Sequence, residues 1–254
     1  GFLMVHRLTP PIQNPHARDF FRQWISARNY MADQSIYLEL SKGVKLHGDE
    51  QYGMLIPYNG NPPAAVLLAL PFGYLDFDRA FIAWNIFSLG CLAVSIMLVF
   101  RDPTCGFSVW ILLPVVTFLL LGRPLAEQVQ MGQLSLLVLA LLSGAWSAHR
   151  KSFTLLSGAL IGLATAIKLF PGLLLVFFFL RRDWKAVAAG IGTFVAINGL
   201  CVVAFGTDCF LTYVADIVPH MGQYYDGWMN VSLKGFWTKL FDARSGHVIP
   251  LWQN

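Results

Sequence analysis

Six apolar runs dominate the middle of this chain, at 80–100, 106–122, 132–148, 153–167, 169–180 and 186–205. A helix needs about 20 apolar residues, within a range of roughly 17–25, to cross a hydrocarbon core ~30 Å thick. Four of the six runs meet that length. The composition leads the same way. Of 254 residues, 56% are hydrophobic and 13% charged, whereas an average soluble domain carries about 25% charge. Eighteen Lys+Arg and fourteen Asp+Glu cannot coat a soluble domain of this size. A soluble enzyme, a disordered chain and a nucleic-acid binder are thereby excluded. The expected fold class is all-α: a polytopic transmembrane helical bundle.

Charge placement sets an orientation. The junctions at 101–105, 149–152 and 181–185 hold Arg101, Arg150, Lys151, Arg181, Arg182 and Lys185, six of the eighteen basic residues. No Lys or Arg occurs over 206–233, and only Arg123 over 122–131. The positive-inside rule puts the three junctions in the cytoplasm. Segments 6–61, 122–131 and 206 onward then face outside.

That orientation decides how 153–180 is divided. One continuous helix would place two basic junctions on opposite sides and leave Lys168 near the membrane centre, at about 2.5–3.5 kcal/mol on insertion scales. Pro171 also pushes Phe170 out of the α region. Two short helices, 153–167 and 169–180, are therefore expected to meet at Lys168 near the outer side. Neither reaches across the bilayer, so their junction must sit in protein or in a water-filled cavity.

The run 62–75 is too short to cross and reads as a re-entrant or interfacial helix started by Pro62-Pro63. Residues 18–40 read as an interfacial helix, with Phe20, Trp24, Ala27 and Met31 on one stripe at headgroup level. The expected organisation is one membrane-embedded catalytic domain over 1–254. Within it lie a first outer loop at 6–61, the re-entrant and transmembrane segments at 62–205, and an outer loop with the start of the next segment at 206–254. The chain opens on Gly1 and reads as a fragment of a longer protein. Cys91, Cys105, Cys201 and Cys209 are too scattered for a disulfide framework.

Five short patterns, in order, resemble glycosyltransferase family 87. They are Asp19-Phe20 with Trp24, Ala27 and Tyr37; Pro62-Pro63 with Trp84; Gly132-Gln133 before an apolar helix; SGALIGLATAIKLFPGLLL with Lys168 and Pro171, followed by Arg181-Arg182 and Trp184; and Asn230, Ser232 and Leu233. Gln23 and Asn61 depart from the pattern, each standing where an aromatic is common. The resemblance implies a GT-C architecture and a polyprenyl-phosphate sugar donor used on the outer face. Characterised members of the family are mannosyltransferases.

Sugar transfer with inversion needs a base for the acceptor hydroxyl and cations for the departing phosphate. Asp19, outside and close to the membrane, is the candidate base; the competing reading is a first-turn carboxylate facing the helix dipole. Lys168 is the candidate phosphate ligand, because an ionisable group in a membrane segment is a site by default; the competing reading is a snorkelling side chain. Arg123 and His220 are further phosphate candidates, with Arg28 weaker. Asp33, Asp49 and Glu50 read as solvated charges. Asp76-Phe77-Asp78 spells a metal-binding pair but lacks a third ligand. Asn230-Val231-Ser232 spells a glycosylation sequon and reads instead as a helix cap. Nothing in the sequence calls for a metal or a cofactor.

The expected function is an inner-membrane hexosyltransferase. It would pass mannose from a polyprenyl-phosphate donor to a lipid-linked or glycan acceptor, with its active site extracytoplasmic and membrane lipids around it. The alternative is a transporter or flippase that uses Lys168 as a substrate contact. Cysteines introduced at positions 151 and 182 should resist an impermeant thiol reagent applied from outside. Labelling of both from outside contradicts the orientation.

Overall fold

The computed structural model describes residues 18–48, 57–101 and 122–221, with isolated positions at 113, 114, 117 and 237. The 106–122 run apart from 113, 114, 117 and 122, the Asp49-Glu50 pair, Cys105 and the Asn230–Leu233 element lie outside the described residues. The described chain is helical, with no strand among the described residues. In order, the helices are α1 (Asp19–Met31), α2 (Leu40–Leu46), α3 (Pro63–Ala69), α4 (Phe77–Phe100), α5 (Arg123–Met131) and α6 (Ser135–Arg150). There follow α7 (Thr154–Ile167), α8 (Leu173–Leu180), α9 (Trp184–Phe205), α10 (Thr207–Thr212) and α11 (Val218–Met221).

Each apolar run on described residues becomes a helix with nearly the expected ends. Asp76 caps α4 by accepting the Arg79 N–H at 3.0 Å. Asp183 caps α9 by accepting the Ala186 N–H at 3.5 Å. Helices α4 and α9 are long and apolar enough to cross a membrane, and α5 with α6 makes a third span if that pair, bent by 113°, counts as one. The protein is an integral membrane protein of all-α class. Segment 62–75 forms α3 and a 3-10 turn at Leu70–Tyr74.

The directions of the helices follow from which residues meet. A Cβ on Gly144 of α6 would lie 3.2 Å from Leu160 of α7, so the two form an antiparallel hairpin around the Ser152 turn. A Cβ on Gly172 would lie 3.0 Å from Thr165, and one on Gly190 would lie 2.5 Å from Leu175. Thus α8 runs back along α7 and antiparallel to α9. Gly158 meets the Ala186 backbone and Gly162 the Gly190 backbone, which makes α7 and α9 parallel. Helix α4 starts beside the start of α6, where the Trp84 indole N–H donates to the Gly132 carbonyl at 2.8 Å. The ends at Arg101, Arg150-Lys151 and Arg181-Arg182 therefore gather at one end of the bundle, and Lys168 lies at the other.

Helices α7 and α8 form the expected pair of short helices. At 1.5 Å per residue, α7 is about 21 Å long and α8 about 12 Å. Lys168 ends α7 in extended conformation, at φ −142° and ψ 131°. A 3-10 turn at Phe170–Gly172 then starts the return.

The helix expected over 18–40 is shorter than its stripe suggested. It stops at Met31, because Asp33 enters the left-handed region at φ 55°, which an aspartate side chain tolerates. Gln34 then donates its N–H to the Asn29 carbonyl at 2.9 Å. The expected aromatic stripe is also spent differently. Phe20, Trp24 and Ala27 are buried in the protein at 0%, 5% and 0% exposure, and only Met31 is exposed. Ring partners from the chain around α4 fill the place assigned to lipid headgroups.

Helices α7 and α9 approach so closely that Gly158 and Gly162 leave no room for a side chain. Small residues of this kind let membrane helices pack backbone to backbone. Gly162→Ala should lower stability in detergent by about 1–3 kcal/mol, the usual cost of overpacking. Gly192→Ala on the open face of α9, with nothing within 4 Å, should leave it unchanged or slightly raised. Equal melting temperatures for the two variants contradict this packing.

Candidate active site

Asp19 opens α1, after Arg18 in extended conformation at φ −80° and ψ 142°. The helix start is fixed by its neighbour. Phe20 is fully buried, stacks on Trp84 at 4.9 Å and meets Phe72 edge-on at 5.9 Å. One turn on, the Trp24 indole N–H donates to the Leu75 carbonyl at 3.1 Å. Both buried indoles thus have the partner that burial demands.

A second element reaches the same place. The chain turns between α5 and α6 through Gly132, at φ 63°. A Cβ there would stand 2.7 Å from the Phe20 Cβ and 3.0 Å from the Phe81 ring. Only glycine suits both that φ and that contact. The corner is pinned by Trp84 on the Gly132 carbonyl and by the Gln128 side-chain amide, which donates to the Gln133 carbonyl at 2.6 Å. It presents Gln133, whose side-chain N–H donates to Asp19 Oδ2 at 2.9 Å.

The α7–α8 junction is the third element. Lys168 turns inward and its ammonium donates to Ser135 Oγ at 3.2 Å. It lies within electrostatic reach of the Asp19 carboxylate. Arg22, one turn along α1, approaches Asp19 Oδ1 at 3.3 Å. Two elements distant in sequence thus supply one carboxylate and one cation to a shared place, with Gln133, Ser135 and Arg22 between and beside them. The Asp19 side chain is 31% exposed, so the carboxylate is reachable.

Asp19 stands in the first turn of α1, where a carboxylate also faces the helix dipole. Its oxygens are engaged by Gln133 and Arg22. The Lys168 ammonium is held on Ser135. Beside them, the buried Arg18 guanidinium lies 3.8 Å over the Phe81 ring. Burial pushes its pKa down to about 10 while Asp78 pulls it the other way, so it stays charged at neutral pH.

The other sequence candidates are placed elsewhere. His220, on α11, donates through Nδ1–H to the Asp216 carbonyl, 2.8 Å away, and stands edge-on to Tyr58 at 5.5 Å. Tyr58 packs with Tyr37, Val66 and Ile217, a cluster that does not include the Asp19 group. Arg123 is the exposed first residue of α5, the end of that helix remote from Gly132. Arg28 lies 5.1 Å over the Trp24 ring. Asp76 caps α4 and pairs with Arg79 at 3.2 Å. Tyr37, one of the residues in the family-like pattern, is structural here. Its hydroxyl donates to the Asn61 carbonyl at 2.8 Å, and burial raises its phenol well above the usual range.

Arg22, Gln133 and Ser135 were not singled out as site residues in the sequence. Arg22 carried a usable signal, since residues three apart share a helix face. Gln133 lay in the Gly-Gln pattern, but its partner is remote in sequence.

The fold and this site define a helical membrane protein with a carboxylate and a lysine gathered at the end of the bundle opposite its basic junctions. Residues 59–253 match glycosyltransferase family 87, and the chain belongs to that family. It is 26% identical over 196 residues to a polyprenol-phosphate-mannose-dependent alpha-(1-2)-phosphatidylinositol mannoside mannosyltransferase of Mycobacterium tuberculosis, covering 71% of this chain and 43% of the relative. The enzyme of the same name from Mycolicibacterium smegmatis is 26% identical over 178 residues, covering 64% of this chain and 37% of the relative. A polyprenol-phosphate-mannose-dependent alpha-(1-2)-phosphatidylinositol pentamannoside mannosyltransferase of Mycobacterium tuberculosis is 22% identical over 206 residues, covering 80% and 46%. The chain spans less than half the length of these curated relatives. No solved structure matches significantly.

Proposed function

We propose that the protein is a membrane glycosyltransferase that moves a hexose, mannose in the first instance, from a polyprenyl-phosphate donor to a lipid-linked or glycan acceptor with inversion at the anomeric carbon. The carrying observation is that Gln133 and Ser135, two residues apart at the start of α6, hold Asp19 at 2.9 Å and Lys168 at 3.2 Å respectively. The names of the relatives support the donor class, and their phosphatidylinositol mannoside acceptors support a lipid-linked acceptor. Placement of the site at the bundle end opposite Arg101, Arg150-Lys151 and Arg181-Arg182 supports an extracytoplasmic reaction, by the positive-inside rule. In a bacterial cell this means the outer face of the inner membrane.

The chemistry balances with these two groups. The acceptor oxygen attacks C1 of the sugar from the face opposite the phosphate. As the C1–O bond forms, the C1–phosphate bond breaks and its electron pair leaves on the phosphate oxygen. Asp19 takes the acceptor hydroxyl proton, since a carboxylate within about 3 Å can accept it. Lys168 leaves Ser135 for the phosphate and holds the charge that develops there. Arg22 adds a second cation on the same side of α1. Arg123 and His220 drop to secondary phosphate candidates, because Arg123 is at the end of α5 remote from Gly132 and His220 is engaged with Asp216 and Tyr58.

Two substitutions test the assignment in a transfer assay with purified protein and polyprenyl-phosphate mannose. Asp19→Asn keeps size and hydrogen bonding but cannot act as a base, so turnover should fall about 10²–10⁴-fold with donor binding little changed. Lys168→Met should weaken donor binding and turnover together, and Lys168→Arg should retain part of both. Turnover by Asp19→Asn within a few-fold of wild type removes Asp19 as the base. Movement of lipid or solute without sugar transfer by the wild type favours the transporter instead.

A further inference from the structure

We infer that Gln133 is a positioning residue for the base: its side-chain amide orients the Asp19 carboxylate toward the acceptor. The inference rests on the reading of Asp19 as base. The contact joins residues 114 apart in sequence, at 2.9 Å between Gln133 Nε2 and Asp19 Oδ2. An amide N–H can only donate and an ionised carboxylate can only accept, so the contact selects this arrangement of the two groups.

What sets Gln133 apart from a chance polar neighbour is how firmly it is mounted. Its carbonyl accepts from the Gln128 side chain at 2.6 Å, and its own N–H donates to the Gln128 carbonyl at 3.2 Å. The residue before it is the left-handed Gly132, whose carbonyl holds the Trp84 indole at 2.8 Å. Gly132 in turn rests against Phe20, the residue next to Asp19. Donor and acceptor of the 2.9 Å bond are thus fixed to one rigid corner.

Arg22 approaches the other oxygen at 3.3 Å, from the same helix as Asp19. An i,i+3 pair on one helix ties the carboxylate only to its own element. Gln133, coming from a different element, is the group that fixes its rotation. A base displaced by about 1 Å loses roughly 10²-fold in rate.

The test is a double-mutant cycle in single-turnover transfer from radiolabelled polyprenyl-phosphate mannose, with donor binding measured on the same purified proteins. Gln133→Met keeps the length of the side chain and removes the donor. It should slow transfer about 10–100-fold in the wild-type background, with donor binding unchanged. In the Asp19→Asn background the same change should alter the rate by no more than about 2-fold, because no base remains to be oriented. Gln133→Leu is uncharged, also lacks the N–H, and should give the same pattern if Gln133→Met folds poorly. Wild-type rates in both Gln133 variants overturn the proposal, as does an equal loss in both backgrounds, which marks a purely structural role. The Asp19→Asn single variant reads separately. If it alone transfers within a few-fold of wild type, the base assignment has failed, whatever the Gln133 variants do.

Discussion

The contact of Phe20 with the Gly132 corner holds the rest of the site together. Phe20 is fully buried among Phe72, Phe81 and Trp84. Gly132 touches it at a distance no side chain would allow. One residue before Phe20 stands Asp19; one residue after Gly132 stands Gln133. The apolar contact therefore sets the geometry of the polar one. Removing a buried aromatic of this kind costs roughly 3–5 kcal/mol. Here it would also release the carboxylate from the element that orients it.

The site depends on broken helices. A membrane interior has no water to satisfy free backbone groups, so a break is tolerated only inside protein or beside a cavity. Two breaks meet here. One lies between α5 and α6 at Gly132, and the other between α7 and α8 at Lys168. Ser135, near the first break, accepts from Lys168 at the second at 3.2 Å. The close backbone packing of α7 on α9 through Gly158 and Gly162 holds the second break in place from below. Rigid small-residue packing at depth thus supports a polar junction at the bundle end.

Much of this was legible in the sequence. Apolar run lengths gave α4, α6, α7 and α9 to within three residues at each end. Basic junctions together with Pro171 predicted the fold-back at Lys168, because charge and proline act locally and leave local marks. The stripe of Phe20, Trp24 and Ala27 gave a helix face but not what that face meets. A period of 3.6 residues records burial and does not distinguish lipid headgroups from protein. The end of α1 at Met31 was missed because Asp33 takes up a left-handed conformation without glycine or proline to announce it. Asp19 and Lys168 were singled out from chemistry and pattern, whereas Gln133 needed the fold, since its partner lies 114 residues away.

A density map of the protein with polyprenyl phosphate bound tests the central claim most directly. The account predicts the phosphate within about 3 Å of Lys168 Nζ, in hydrogen-bonding reach. Asp19 should face open space on the side away from the phosphate, still held by Gln133. A phosphate seated beside Arg123 or His220, with Lys168 still on Ser135 and the Asp19 carboxylate closed off, contradicts it.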